Sequence, residues 1–170
     1  MKIIIASDLH GSEYYTRALI EEADKRKADK ILLLGDLYYH GPRNPLPKGY
    51  APQKVAELLN AKKDIVIAVR GNCDADVDCM ISQFPLCNEV QLFVDGKTWF
   101  CTHGHEFSFD NLPPLAAGSV FLQGHTHVPV HEVKDGVLLL NPGSVSLPKE
   151  NSAHSCLFYD GEFHACTLNE

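Results

Sequence analysis

The chain has no excess of basic residues, no hydrophobic run of membrane-spanning length and no cysteines paired as C-x-x-C. Each absence removes a class of function. With 15 Lys+Arg against 22 Asp+Glu the formal net charge is -7, so the broad positive field that stable nucleic-acid or membrane-surface binding needs is missing. The apolar run at residues 3–6 is interrupted by Asp8 and His10, far short of a signal peptide or a spanning helix, which predicts a cytoplasmic protein without membrane association. The six cysteines (Cys73, Cys79, Cys87, Cys101, Cys156 and Cys166) are scattered and read as free thiols in a reducing compartment, not as a zinc finger or disulfide framework. No internal repeat, low-complexity tract or linker is evident. At 170 residues and 45% hydrophobic composition, one core and one domain over residues 1–170 are expected.

The apolar segments present are short and end abruptly. Residues 2–6, 31–34 and 65–69 read as buried strands, with helices expected from about Glu13 (capped by Ser12) and over residues 52–60, where Pro52 suits a first turn. That βαβαβ order favours parallel pairing with right-handed crossovers. Residues 38–52 hold five prolines or glycines before Ala51 and predict a long loop, a candidate lid. The second half reads as short strands at 90–94, 98–102, 120–122, 128–133, 137–140, 155–159 and 163–167. Several are joined by the hairpin signals Asp95-Gly96, Asp135-Gly136 and Asp160-Gly161. Two packed β-sheets with helices outside are expected.

Metal-type residues occur where these strands stop: Asp8-Leu9-His10, Gly35-Asp36, Gly71-Asn72, His103-Gly104-His105 and Gly124-His125-Thr126-His127. Each cluster alone is ordinary turn or capping chemistry. In an α/β sheet, however, the carboxyl ends of the strands form the ligand crevice, so the five clusters can converge. Two carboxylates, an amide and several imidazoles form a mixed nitrogen and oxygen set suited to Mn, Fe, Zn or Co rather than Ca or Mg. Seven ligands are too many for one ion and suit two ions sharing a carboxylate, with Asp36 the candidate bridge. Such a pair lowers the pKa of a bridging water and offsets the charge of a phosphate ester, which an acidic protein must otherwise meet with local cations.

The motifs DLH, GD, GNCD, THGH and GHTH, in that order, resemble the calcineurin-like metallophosphoesterase superfamily, and within it the small YfcE-type phosphodiesterases of bacteria and archaea. The resemblance runs from Asp8 through Asn141-Pro142-Gly143-Ser144. It implies a four-layer α/β/β/α sandwich of two mixed β-sheets flanked by helices, and a two-metal centre usually assayed with manganese, with Zn, Fe, Co or Ni as other fits. It also implies that Asp8, His10, Asp36 and His127 hold one ion and Asp36, Asn72, His103 and His125 the other, with His105 outside the ligand set. Asn72, Cys73 and His103 are the candidate catalytic residues. Small relatives often form dimers or tetramers.

One position departs from the pattern. Where many members have Gly-Asn-His before an acidic residue, this chain has Gly71-Asn72-Cys73-Asp74. A thiol is a poor hydrogen-bond donor, so proton delivery by Cys73 should be weak and good leaving groups favoured; the alternative is that Cys73 simply lines the pocket. A covalent cysteine mechanism is unnecessary where metal-bound hydroxide supplies the nucleophile. Asp74 either orients a neighbouring ligand or caps the helix that follows. Asn141-Pro142-Gly143-Ser144 fits a type II turn, near the metal site by the resemblance or purely structural. Tyr38, Tyr39, His40 and Arg43 contact substrate, with Arg43 as a phosphate clamp, or belong to a solvated loop or a subunit contact.

The resulting expectation is a hydrolase that cleaves a small phosphodiester by in-line attack of a hydroxide bridging two divalent ions. A scaffold on the same fold, as the resemblance to a family that includes the eukaryotic retromer scaffold subunit allows, and a phosphomonoesterase of the same superfamily are the competing readings. The filled ligand positions favour catalysis over the scaffold. A doubly charged monoester would want the contact a histidine at position 73 provides.

Overall fold

A computed structural model describes residues 1–168. The first half alternates β1 (Ile3–Ala6), α1 (Glu13–Arg26), β2 (Lys30–Leu33), α2 (Pro52–Asn60), β3 (Val66–Val69), α3 (Asp76–Ile81) and β4 (Leu86–Cys87). The rest is β5 (Glu89–Val94), β6 (Lys97–Thr102), β7 (Val120–Leu122), β8 (Val130–Lys134), β9 (Val137–Asn141), β10 (Ser155–Tyr159) and β11 (Phe163–Thr167). The expected helices and strands are present, with bounds shifted by a residue or two. The two-residue β4 is too short to show a period.

Six strands form one sheet in the order β11-β10-β1-β2-β3-β4 and five form a second in the order β5-β6-β7-β9-β8. In the first, β1 to β4 pair in parallel while β10 joins β1 antiparallel. In the second, β6, β7 and β9 are parallel and β5 and β8 close the edges as antiparallel hairpin partners. Two of the three Asp-Gly signals are two-residue turns with both residues at positive φ: Asp95 and Gly96 (48° and 79°), Asp135 and Gly136 (51° and 79°). At the third only Gly161 takes positive φ, and the turn runs through Glu162 before Tyr159 meets Phe163.

Alternation along the strands divides the core into layers. Ile4, Ala6, Ile31, Leu33 and Phe158 point towards Leu19 and Ala23 of α1 and Val55 and Leu59 of α2. Their neighbours Ile3, Ile5, Leu32, Leu34 and Leu157 point the other way, meeting Trp99, Cys101, Val120, Leu122 and Leu140 between the sheets. Each such fully buried side chain contributes about 1.5–3 kcal/mol relative to exposure. The outer face of the second sheet buries Phe100, Phe121, Val137 and Leu139 under Phe107, Phe109, Leu112 and Leu115. The four layers of the sandwich are thus present, but the last is an irregular segment, since among the described residues no helix follows α3. Pro113 and Pro114 interrupt that segment and remove backbone donors a helix would use. No described helix is long and apolar enough to cross a membrane.

Candidate metal centre

Every expected ligand sits just past the carboxyl end of a parallel strand. Asp8 and His10 follow β1, Asp36 follows β2 and Asn72 follows β3; His103 follows β6, and His125 and His127 follow β7. The backbones there are strained. Asp8, His10, Asp36, His125 and His127 take φ of 58°, 47°, 55°, 67° and 62°, half of the ten described residues other than glycine with positive φ. Asp and His tolerate this region better than most residues, and such strain collects where a site must aim its side chains. A Cβ on Gly124 would collide with the Ser7 side chain and lie 2.8 Å from Asp8 Oδ2; one on Gly71 would collide with Asp36. These two glycines let the loops close over the carboxylates.

The seven side chains meet. His10 Nε2 lies 3.1 Å from His127 Nε2, 3.6 Å from Asp8 Oδ1 and 3.7 Å from Asp36 Oδ2. His127 Nε2 is 3.3 Å from Asp8 Oδ1, and His103 Nε2 is 3.4 Å from Asp36 Oδ2. Asn72 Oδ1 and His125 Nδ1 complete the group at 3.0 and 3.2 Å from His103 Nε2. His105 stays outside, half-exposed beside Glu106.

Three of the imidazoles are aimed in the same way. Nδ1–H donates to a main-chain carbonyl, from His10 to Tyr39 (2.7 Å), from His103 to Leu34 (2.7 Å) and from His127 to Leu147 (2.5 Å), leaving Nε2 turned into the cluster. Asp74 aims a carboxylate loop instead: its oxygens accept the N–H groups of Asp36, Leu37 and Gly71, each at 2.8 Å. Of its two expected roles Asp74 therefore has the orienting one. The first turn of α3 is served by Asp78, which accepts the Ala75 N–H. The Asn141-to-Ser144 turn lies beneath Asp8: Gly143 takes the positive φ (78°) that a type II turn requires, and Ser144 and Ser146 hydroxyls donate to the Asp8 carbonyl at 2.9 and 3.0 Å. The two serines went unread as supports because their partner is main chain, which no side-chain pattern reveals.

Electrostatics follow from packing carboxylates among imidazoles. Burial alone would raise the Asp8 carboxyl, yet His10, His127 and the charge of His103 hold it well below the usual carboxylate range. Asp36 is likewise lowered, its burial outweighed by His103. In return, against the effect of burial, Asp36 and Asp8 raise His103 to about 9, and Asp8 raises His10. Burial and the charge of His103 lower His125.

A metal fits this donor set. Asp8 Oδ1 is buried with no hydrogen-bond partner, although it lies within 3.6 Å of two imidazole nitrogens. Asp8, His10 and His127 form one group able to hold an ion; Asp8, Asp36 and His103 form another; His10, Asp36 and Cys73 form a third. The Cys73 thiol thus faces the same space, half-buried, with its N–H donating to Asp36 Oδ1. Without an ion, burial and then Asp36 push it up to about 12.

The cluster opens into a cleft of about 800 Å³ lined by Tyr39, Arg43, Asn44, Asn72, Cys73, His125 and Lys149. The loop at residues 38–52 supplies one wall, but its ends are fixed: Tyr38 is buried and hydrogen-bonded to Ser82, removing it from the substrate candidates, while Ser12 and Glu13 bind Lys48 and Gly49 carbonyls. His40 packs edge-on against Tyr39 and Tyr50 and is absent from the cleft lining. Lys149, which no motif flagged, is placed there by its N–H bond to the His127 carbonyl.

A sandwich of two mixed sheets with carboxylates, an amide and imidazoles gathered where the parallel strands end defines a class of metallohydrolase. The chain belongs to the calcineurin-like phosphoesterase superfamily, whose domain profile matches residues 1–162. It is 45% identical over 163 residues to Phosphodiesterase YfcE of Escherichia coli, covering 95% of this chain and 89% of that one. A solved structure of that E. coli phosphoesterase superposes with a TM-score of 0.97 at 44% identity, covering 99% of this chain and 94% of the other. Phosphodiesterase MJ0936 of Methanocaldococcus jannaschii is 30% identical over 152 residues, 84% of this chain and 83% of its own. The family uses divalent metals, and this chain brings together residues able to hold them.

Proposed function

We propose that this chain is a cytoplasmic, metal-dependent phosphodiesterase acting on a small diester. In this reading Asp8, His10, Asp36 and His127 hold one divalent cation, and Asp36, Asn72, His103 and His125 a second, with manganese the working ion. The observation that carries it is the single cluster the seven side chains form, with Asp8, His10, His127, Asp36 and His103 in groups able to hold an ion, Asn72 and His125 against His103, and Asp8 Oδ1 buried without a hydrogen bond. Bound ions supply Lewis acidity that lowers the pKa of water and offsets ester charge. The chain's own groups do the rest. The carbonyls of Tyr39, Leu34 and Leu147 hold three imidazoles in the neutral tautomer that presents Nε2. Asp74 keeps Asp36 in place for both ions. Arg43 and Lys149 offer the cleft's positive side chains to the ester's non-bridging oxygens, against a background charge of -7.

Cys73 sets the preference among esters. A thiol neither adds a positive charge nor donates a strong hydrogen bond, so a singly charged diester with a good leaving group suits the site better than a dianionic monoester. A scaffold would have no need of a complete ligand set. The test is manganese-loaded protein assayed with an activated aryl phosphodiester and the matching monoester, with elemental analysis of the metal. The expected outcome is faster diester hydrolysis and two ions per chain. Metal-free protein after loading, or turnover indifferent to chelation, would sink the reading.

A further inference from the structure

On the far face of the first sheet, away from the cleft, two cysteines stand opposite each other. Cys156 on β10 and Cys166 on β11 are direct partners in the antiparallel register. The Leu168 N–H bonds to the His154 carbonyl two pairs along the ladder, and bonds of this kind recur at every second pair. Cys156 and Cys166 therefore form a hydrogen-bonded pair, for which the Cα separation is about 5.5 Å. A disulfide needs about 4.4–6.8 Å between Cα atoms. Both side chains belong to the same buried cluster and so project from the same face of the sheet, towards α1. Both are free thiols.

We propose that Cys156 and Cys166 are a redox-responsive dithiol, closing to a cross-strand disulfide when the chain meets a peroxide.

The surroundings divide the labour between the two sulfurs. Both are buried, Cys156 wholly and Cys166 with 5% exposure on the edge strand, where its chain neighbours Thr167 and Leu168 line a small cleft with Ala18 and Glu22. The neighbouring Cys156 thiol, with Arg26 at the end of α1, lowers Cys166; the same contact, reinforced by burial, pushes Cys156 up. Arg26 is held over the Phe158 ring, 4.6 Å from its centre, and paired with Glu22. On the outermost strand and the less buried of the two, Cys166 is the attacking sulfur and Cys156 the resolving one.

The chemistry balances with hydrogen peroxide as oxidant. The Cys166 thiolate attacks one peroxide oxygen, forming an S–O bond and breaking the O–O bond. The sulfur is oxidised to sulfenic acid, and the departing hydroxide takes up the proton Cys166 had released, giving water. Cys156 sulfur then attacks the sulfenic sulfur. An S–S bond forms, the S–O bond breaks, and the hydroxide leaves with the Cys156 proton as a second water. Two thiols have lost two electrons to one peroxide.

To test this, the reduced chain is freed of reductant, treated with hydrogen peroxide, denatured in an alkylating reagent and digested without reduction. The expected result is a peptide pair joining Cys156 to Cys166, lighter by two hydrogen atoms than the reduced peptides together, with both residues withdrawn from alkylation. Cys101, buried without a cysteine opposite, should stay alkylatable. Full alkylation of Cys156 and Cys166 after oxidation, or bridges from either to another cysteine instead, would overturn the proposal. In Cys156→Ser the resolving thiol is gone, and dimedone should trap Cys166 as sulfenic acid; unlabelled Cys166 in folded variant would reject its role as the attacking sulfur. Should that variant fail to fold, the unsubstituted chain's peptide map decides alone.

Discussion

The two ends of the ligand cluster differ in how they meet solvent. Asp8, His10, Asp36 and His127 are buried, and three of them are held from behind: Asp8 by two serine hydroxyls that donate to its carbonyl, His10 and His127 by main-chain carbonyls that accept from Nδ1. At the other end Asn72 is exposed and His125 half-buried, and both line the cleft. His103 and Asp36 join the two ends. A sealed end can be preorganised at the cost of strain, since packing over-determines each side chain; an open end must leave room for a substrate. The cluster thus has a fixed part and an accessible part, with the Asp36 carboxylate between them.

That comparison can be broken most sharply at the joint. In Asp36→Asn, turnover by metal-loaded protein should fall by more than about 100-fold, beyond the usual cost of losing a residue that only orients a ligand, while circular dichroism stays unchanged. Residual activity near that of the parent chain would show that the two ends do not share this group. Asp74→Asn probes the support instead: an amide cannot accept three N–H groups at both atoms, so activity should drop about 10–100-fold with the fold retained. The open end is sharpened by Cys73→His, which restores a cationic donor beside Asn72 and should raise monoester hydrolysis by about tenfold or less, within the range of added acid catalysis. A fall on every substrate would refute the account of Cys73 as the reason for diester preference.

The smallest effect is on stability in chelator-treated protein. His103, raised to about 9 from 6.5, stabilises the metal-free fold fully below pH 6.5, and that contribution is lost as pH rises through about 9. Asp8 and Asp36, both lowered, act in the opposite sense and lose their contribution only in acid. Melting temperature of metal-free protein should therefore decline between pH 6.5 and 9, while manganese affinity rises over the same window because the ion displaces the His103 proton. Parallel pH dependence of the two quantities would contradict the assignment.

Much of the molecule was legible because it rests on local rules. Short β-branched runs marked the buried strands, Ser12 marked the start of α1, and Asp95-Gly96 and Asp135-Gly136 marked two hairpins whose φ values require those residues. The metal-type residues announced themselves by standing where each apolar run ended. What stayed hidden depends on partners distant in the chain. Tyr38 looked like a substrate contact until Ser82 claimed its hydroxyl, Asp74 was undecided until three N–H groups met it, and Lys149 came into view only through the loop that His127 anchors. The irregular outer layer over Phe100 and Phe121 was likewise unreadable, since a chain can cover a sheet face without any period.

Composition and pattern by themselves determined an acidic α/β chain with metal-type residues at its strand ends, since charge, hydrophobic period and turn chemistry are properties of neighbouring residues. Tertiary structure alone decided which imidazole nitrogen points inward, which end of the cluster is sealed, and that Cys156 faces Cys166. Those outcomes depend on register and on distant main-chain partners, and side chains separated by more than a hundred positions share a volume only once the two sheets have packed.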